Sequence, residues 1–171
     1  MKAVIRLLDG TTEVLGRGIA WLTLAMVVVT VVVVVLRYGF DTGAIAMQES
    51  VTYMHACVFM LGIPYGLKHG GHVRVDIVYA KLSPRGKTVV DLAGHLLFLI
   101  PVATFVLVTS LDYVAAAWRV REGSAEVGGI PAVYLLKTLI PVMAGMLLMQ
   151  GLAETARAIL ALRVPQPLGG R

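Results

Sequence analysis

The feature that most constrains the fold is an uncharged apolar run at residues 18–36, GIAWLTLAMVVVTVVVVVL, which lies between Arg17 and Arg37. A helix of this length rises about 28 Å, close to the ~30 Å thickness of the hydrocarbon layer of a bilayer. Its valines favour a strand in water, but in lipid only a helix satisfies the backbone of one isolated segment. The run therefore predicts a membrane-spanning helix. It is longer than the roughly 7–15 apolar residues of a signal peptide, so we expect it to be retained.

Three further apolar stretches are long enough to cross a bilayer. The chain is 58% hydrophobic and 15% charged, with a mean hydropathy of +0.83, whereas an average soluble domain has about 25% charged residues. The segments between the stretches are too short for separate soluble domains. We therefore predict an all-α membrane protein, with residues 1–171 forming a single integral membrane domain. Its four spans would be residues 18–36, 47–67, 89–111 and 131–153.

The basic residues are distributed unevenly between the two sides of such a bundle. Eleven of the fifteen Lys and Arg residues lie in the N-terminal segment, the loop between the second and third spans, and the C-terminal segment. Three lie in the first and third loops, and Lys137 lies inside the fourth span. Positively charged loops are retained in the cytoplasm, so we predict that both termini are cytoplasmic. This distribution accounts for the pI near 9.6 without a nucleic-acid partner.

The sequence shows no pattern typical of an active site. There is no nucleophile–base constellation, phosphate-binding loop or paired-carboxylate site, and the single cysteine, Cys57, cannot form a disulfide within the chain. We therefore expect no catalytic residue, no metal site and no cofactor. The alternative is a membrane anchor subunit of a redox enzyme that binds haem or quinone through His55 and His95. Those residues differ in predicted depth by about 9 Å, a poor match for the two ligands of one haem.

The Asp, Glu, Lys and Arg residues in the spans cluster near the membrane surfaces. Glu49 would complement the positive end of the second helix, and Arg37 across the short outer loop is a plausible partner. Asp91 has a basic residue four positions away on either side, so it could be paired within its helix or serve as a docking point. Lys137 could extend outward to the headgroups or pair with a carboxylate of a neighbouring helix.

The loop between the second and third spans has amphipathic character. Arg74 and Lys81 are seven residues apart and would share one face of a helix that is otherwise largely apolar. We predict that this helix lies in the inner headgroup layer and ends at Ser83–Pro84. Glycine and proline spacings, Gly62 with Gly66 and Pro141 with Gly145, predict close approach of helices within the chain.

Several motifs occur in a fixed order along the chain: Glu49 in the second span, His72-x-Arg74-x-Asp76, Leu82-Ser83-Pro84-Arg85, Trp118 with Glu122, Gly129-Ile130-Pro131, Ile140-Pro141 and Gln150-Gly151-Leu152-Ala153-Glu154. Together they resemble the small membrane subunit (DctQ-type) of tripartite ATP-independent periplasmic (TRAP) transporters. The likeness covers about residues 15 to 160. The second span departs from the family's usual aromatic–acid opening, because it begins Met47-Gln48-Glu49.

The resemblance implies a division of labour between subunits. A large membrane subunit would carry the substrate and Na⁺, a soluble periplasmic protein would capture the substrate, and the small subunit would enlarge the static scaffold. We therefore expect this chain to lie in the bacterial inner membrane and to serve Na⁺-driven uptake of an organic acid. Its partners would be the large subunit, the binding protein and membrane lipids, and it would have no substrate-binding residues of its own. The candidate residues for contact with a subunit or with lipid are Arg37, Glu49, His72, Arg74, Asp76, Lys81, Asp91 and Lys137.

Overall fold

The computed structural model describes residues 2–71 and 79–163, with side chains from residue 9 onward. These residues include four long helices and no strand, and each of the four is long and apolar enough to span a membrane. This confirms the prediction of an all-α protein with four membrane helices. Three of the candidate residues, His72, Arg74 and Asp76, lie outside the described residues. The helices are α1 (Lys2–Gly39), α2 (Ile45–Lys68), α3 (Pro84–Arg119) and α4 (Val133–Arg163).

Three of the helices extend well beyond the apolar runs predicted as spans. The hydropathy pattern marks only the part of a helix that lies in hydrocarbon, whereas the backbone remains helical where polar side chains reach the headgroup layer. The start of α3 has a clear local cause: the Ser83 hydroxyl accepts a hydrogen bond from the Gly86 amide at 3.1 Å, and Pro84 occupies the first helical position.

Within α3 the hydrogen-bonding pattern changes for one turn. The segment His95–Leu99 is a π-helix, and Ile100 donates its amide to the carbonyl of His95. Pro101 follows directly, and it has no backbone N–H that could donate a hydrogen bond to a carbonyl of the preceding turn. A π turn at this position accommodates the proline without interrupting the helix.

The centre of the bundle is α4, which packs against α1, α2 and α3, while α1 also packs against α2. Its buried positions include Ala144, Ala153 and Ala158. Small side chains allow helices to approach closely in a membrane, where packing replaces the hydrophobic effect as a source of stability. The other three helices are therefore arranged around a narrow central helix.

Two glycines mark the closest helix contacts. A Cβ atom at Gly16 of α1 would overlap the ring of Tyr65, and one at Gly151 of α4 would overlap Leu99. By contrast, no described atom lies within 4 Å of the Cβ position at Gly62, Gly66 or Gly145. The prediction that these three glycines mediate packing within the chain is therefore wrong, because the neighbouring helices of the bundle approach at other positions.

Candidate functional site: polar clusters at the two ends of the bundle

A polar cluster joins α1 to α4 near the end of the bundle that carries the two termini, which are predicted to be cytoplasmic. We call this the inner end of the bundle and the opposite end the outer end. Gln150 is fully buried, accepts a hydrogen bond from the Thr12 hydroxyl at 3.1 Å, and donates to Asp9 at 3.3 Å and Glu154 at 3.1 Å. Arg157 donates to Asp9 at 2.7 Å and forms a two-pronged contact with Glu154. The single guanidinium therefore lies between two carboxylates, and the buried amide has partners for both its donor and its acceptor atoms. We call these five residues the inner cluster.

A second set of contacts fixes α1 against the end of α2. The Glu13 carboxylate lies 2.6 Å from the Lys68 ammonium and 2.8 Å from Arg17, with the His69 ring at 3.4 Å. Lys68 also donates to the backbone carbonyl of Asp9 at 3.0 Å. Arg17 and Lys68, two of the basic residues on which the predicted topology rests, thus also have a structural role, because they neutralise the Glu13 carboxylate of α1.

At the outer end, Glu49 connects α2 to the loop between α3 and α4. Its carboxylate accepts hydrogen bonds from the Ser124 hydroxyl and, at 2.6 Å, from the Ile130 amide. Gly129 is required beside it, because a Cβ atom there would overlap Ser124 and approach the Glu49 carboxylate. The suggested pairing with Arg37 is wrong, since both carboxylate oxygens face this loop rather than α1. We call this arrangement the outer clamp.

Lys137 reinforces the same end of the bundle. Its ammonium lies 2.6 and 2.7 Å from the two carboxylate oxygens of Glu122, and 4.3 Å from the centre of the Tyr113 ring. Lys137 was predicted either to extend to the headgroups or to pair with a carboxylate of a neighbouring helix. The structure shows pairing, although the carboxylate belongs to the outer loop rather than to a helix. The first part of that loop is therefore tied to the start of α4.

Aromatic side chains complete this outer face. Trp118 donates its indole N–H to the Thr138 hydroxyl at 2.9 Å and packs edge-on against Tyr134, with ring centres 4.7 Å apart. Arg121 lies 5.6 Å above the Trp118 ring and 5.5 Å above the Tyr134 ring. Such amphipathic rings are typical of the membrane–water interface.

The remaining candidate residues are placed separately. Arg37 is exposed at the end of α1, and Lys81 is exposed in the turn before α3. Asp91 accepts a hydrogen bond at 2.7 Å from the hydroxyl of Tyr79, rather than pairing within its own helix. The Lys87 ammonium lies 5.5 Å above the Tyr79 ring. The structure thus brings Tyr79, Lys87 and Asp91 together and leaves Arg37 and Lys81 at the surface.

The two histidines of the redox alternative are not brought together. His55 is exposed on the outside of α2, where its ring stacks with Phe59 at 6.4 Å. His95 lies on α3 and lines a cavity of about 250 Å³ that also borders Glu154 and Arg157. Two ligands of one iron must face a common space, and these rings face different ones. Among the described residues, no group of three or more His, Cys, Asp or Glu residues could hold a metal ion.

Comparison with known proteins decides the family. The family model for "Tripartite ATP-independent periplasmic transporters, DctQ component" matches residues 26–161. The chain belongs to this family. It is also 27% identical over 100 residues to a protein of Haemophilus influenzae named "Putative TRAP transporter small permease protein". That alignment covers 58% of this chain, and the chain spans 60% of the length of the relative.

The DctQ match includes the outer clamp and the α4 half of the inner cluster, but not its α1 half. Asp9, Thr12 and Glu13 precede residue 26, and their role was missed by the sequence analysis, which treated this segment only as a topological signal. Their spacing could have revealed them. Positions 9, 12, 13 and 16 share one helix face, as do Gln150, Glu154 and Arg157.

Proposed function

We propose that this chain is the small scaffold subunit of a TRAP-type secondary transporter for Na⁺-driven uptake of an organic acid. It stabilises a large membrane subunit and helps to dock a periplasmic substrate-binding protein. The observation that carries the proposal is the DctQ family match over residues 26–161, which makes the chain a small TRAP subunit. Na⁺ coupling, the organic-acid substrate and the docking role are the proposed part.

The distribution of charge within the four helices supports a static role. The ion pairs of the described residues lie towards the ends of the bundle, and those formed by Lys68, Lys137 and Arg157 connect one helix to another or to a loop. Charged residues deep in a membrane mark the pathways of ions and substrates, whereas ion pairs near the helix ends fix the positions of helices. With α4 at the centre and polar clusters at both ends, the arrangement suits a rigid body against which a moving subunit can act.

The predicted topology gives the two ends different tasks. With cytoplasmic termini in a bacterial inner membrane, the outer clamp and the loop at residues 120–132 face the periplasm. This loop is held in place by Glu49 and Lys137 yet exposes Val127, which is 91% accessible. A fixed loop with an exposed apolar side chain is a suitable contact for a soluble binding protein, so we assign the docking role to it.

At the cytoplasmic surface, we retain the interfacial helix between α2 and α3 as a proposal. The contact of Tyr79 with Asp91 ties the end of this segment to the first turns of α3, and Lys81 remains exposed beside it. An exposed ammonium at this level can reach a lipid phosphate or an acidic side chain of the large subunit. Residues 1–171 would then act as one membrane domain.

The test is uptake by whole cells that carry the large subunit and the binding protein, with or without this chain. We expect accumulation of a labelled organic acid only when all three proteins and a Na⁺ gradient are present. Uptake that needs this chain but not Na⁺ would contradict the coupling, and full uptake without the chain would contradict the scaffold role. A Met149→Leu variant, changed at a partly lipid-exposed position of α4, serves as the matched control and should support full uptake.

A further inference from the structure

One face of α2 carries a regular series of residues that the bundle does not use. The intervals between its members are four, three, four, three and four, which is the a/d spacing of a heptad repeat. At about 100° per residue, all members fall within roughly 40° of a single line along the helix. We call this series the α2 stripe: Gln48, Thr52, His55, Phe59, Gly62 and Gly66.

The α2 stripe is not packed against the rest of the chain. Its first four members are exposed, with Phe59 62% accessible, and no described atom lies within 4 Å of the Cβ positions of Gly62 and Gly66. Pro64, about 160° around the helix from Gln48, is fully buried against the bundle. The α2 stripe therefore faces either lipid or another protein.

The polar members of the stripe are unsuited to lipid. Among the described residues, no hydrogen-bond partner is found for the side chains of Gln48, Thr52 or His55. His55 lies ten residues into α2, about 15 Å from its outer end and thus near the bilayer midplane. Hydrocarbon offers an imidazole no hydrogen bond, so exposure there is costly. In keeping with this, α2 has the lowest mean hydropathy of the four spans, 1.2 against 2.9 for α1.

A charged residue lies beside the outer end of the stripe. A groove of about 370 Å³ between α1 and α2 is lined by Gln48 and Thr52 together with Arg37 and Thr30 of α1. The described residues provide no ion-pair partner for Arg37, because Glu49 is engaged in the outer clamp. A partner that covers the stripe would therefore stabilise Arg37 if it carried a carboxylate at the outer membrane surface.

We propose that the α2 stripe is the docking seam for one transmembrane helix of the large subunit, an inference that rests on the function proposed above. The heptad spacing favours a left-handed crossing of about 20°. The partner helix carries a hydrogen-bonding side chain opposite His55 and a carboxylate near Arg37, and its backbone approaches most closely at Gly62 and Gly66. Polar complementarity thus selects a protein helix rather than lipid as the occupant.

The test is site-specific photo-cross-linking of the co-expressed complex, with p-benzoylphenylalanine at Phe59 or at Phe98. Phe98 is the matched control, because it is 69% accessible and lies about 14 Å from the inner end of its predicted span, compared with about 12 Å for Phe59. We expect the Phe59 probe to form an adduct with the large subunit and the Phe98 probe to form none. Equal adducts from both positions, an adduct from Phe98 alone, or a dimer of this chain would overturn the proposal.

Two substitutions test the energetics of the same seam. His55→Leu should weaken association by about threefold, the average effect of one interhelical hydrogen bond in a membrane. Gly62→Leu should weaken it more strongly by blocking backbone approach, whereas Gly145→Leu, at another position with no described atom within 4 Å, should leave it unchanged. If both α2 variants bound the large subunit with wild-type affinity, the proposal for the α2 stripe would be overturned while the scaffold role remained intact. Failure of the unmodified chain to bind the large subunit would overturn both.

Discussion

Replacing Gln150 by leucine should weaken the contact between α1 and α4 more than any conservative change on the lipid-facing side of α4. The side chain is fully buried, and two of its three hydrogen bonds cross between helices, from Thr12 at 3.1 Å and to Asp9 at 3.3 Å. Leucine has a similar volume but neither bond. Interhelical hydrogen bonds in membranes contribute about 0.6 kcal/mol on average and at most about 1.7 kcal/mol each. We therefore expect Gln150→Leu to lower the free energy of unfolding by about 1 to 3 kcal/mol.

The unfolding free energy can be measured by SDS titration in mixed micelles, with the reactivity of Cys57 as the readout. Cys57 is the single cysteine of the chain and is only partly accessible in the folded bundle, so unfolding should increase its labelling. Met149→Leu, at the neighbouring exposed position, is the matched control and should unfold at the wild-type SDS concentration.

A double-mutant cycle isolates the bond between Thr12 and Gln150. If this bond is formed, Thr12→Val and Gln150→Leu together should cost about 0.6 kcal/mol less than the sum of the single changes. Additive effects would show that Thr12 and Gln150 do not interact. An unfolding free energy for Gln150→Leu equal to that of Met149→Leu would refute the argument that the inner cluster holds α1 against α4.

Three other predictions concern the outer clamp, the topology and the inner loop. Glu49→Gln should speed proteolysis of the loop at residues 120–132, because a neutral amide accepts weaker hydrogen bonds from Ser124 and Ile130; an unchanged rate would argue against the clamp. Cysteines introduced at Lys81 and Arg121 should label from opposite sides of the membrane, Arg121 from the periplasm. Labelling of the cysteine at position 81 by an impermeant reagent in intact spheroplasts would contradict the predicted topology. The Arg74→Ala, Lys81→Ala double variant should insert normally yet bind the large subunit about 30-fold more weakly, from about 1 kcal/mol per contact with an anionic surface; full binding would make this segment only a topological marker.

The number and type of helices could be predicted from the sequence because the hydrocarbon layer leaves few alternatives. An uncharged run such as residues 18–36 must become a helix of known length, whatever its neighbours do. Helix ends were harder to predict, because the backbone continues as helix through the polar headgroup layer. The first helix begins at Lys2, well before the apolar run, and the third continues to Arg119.

The partners of individual side chains could not be predicted in the same way. Glu49 was assigned to Arg37 because the two are close in sequence, but its carboxylate binds Ser124 and Ile130, 75 and 81 residues away. Such contacts depend on how the helices pack, and hydropathy contains no information about packing. The glycines show the same limit, since Gly62 and Gly66 have the spacing of a close contact and lie on the unoccupied side of α2.

Transport by purified proteins in liposomes tests the scaffold role most directly. A vesicle containing this chain alone, with an inward Na⁺ gradient and a labelled organic acid outside, should accumulate nothing. Addition of the large subunit and the binding protein should produce uptake that ends when the gradient is collapsed. Accumulation by the chain alone would contradict the account, because its four helices would then contain a substrate pathway and the protein would be a carrier in its own right.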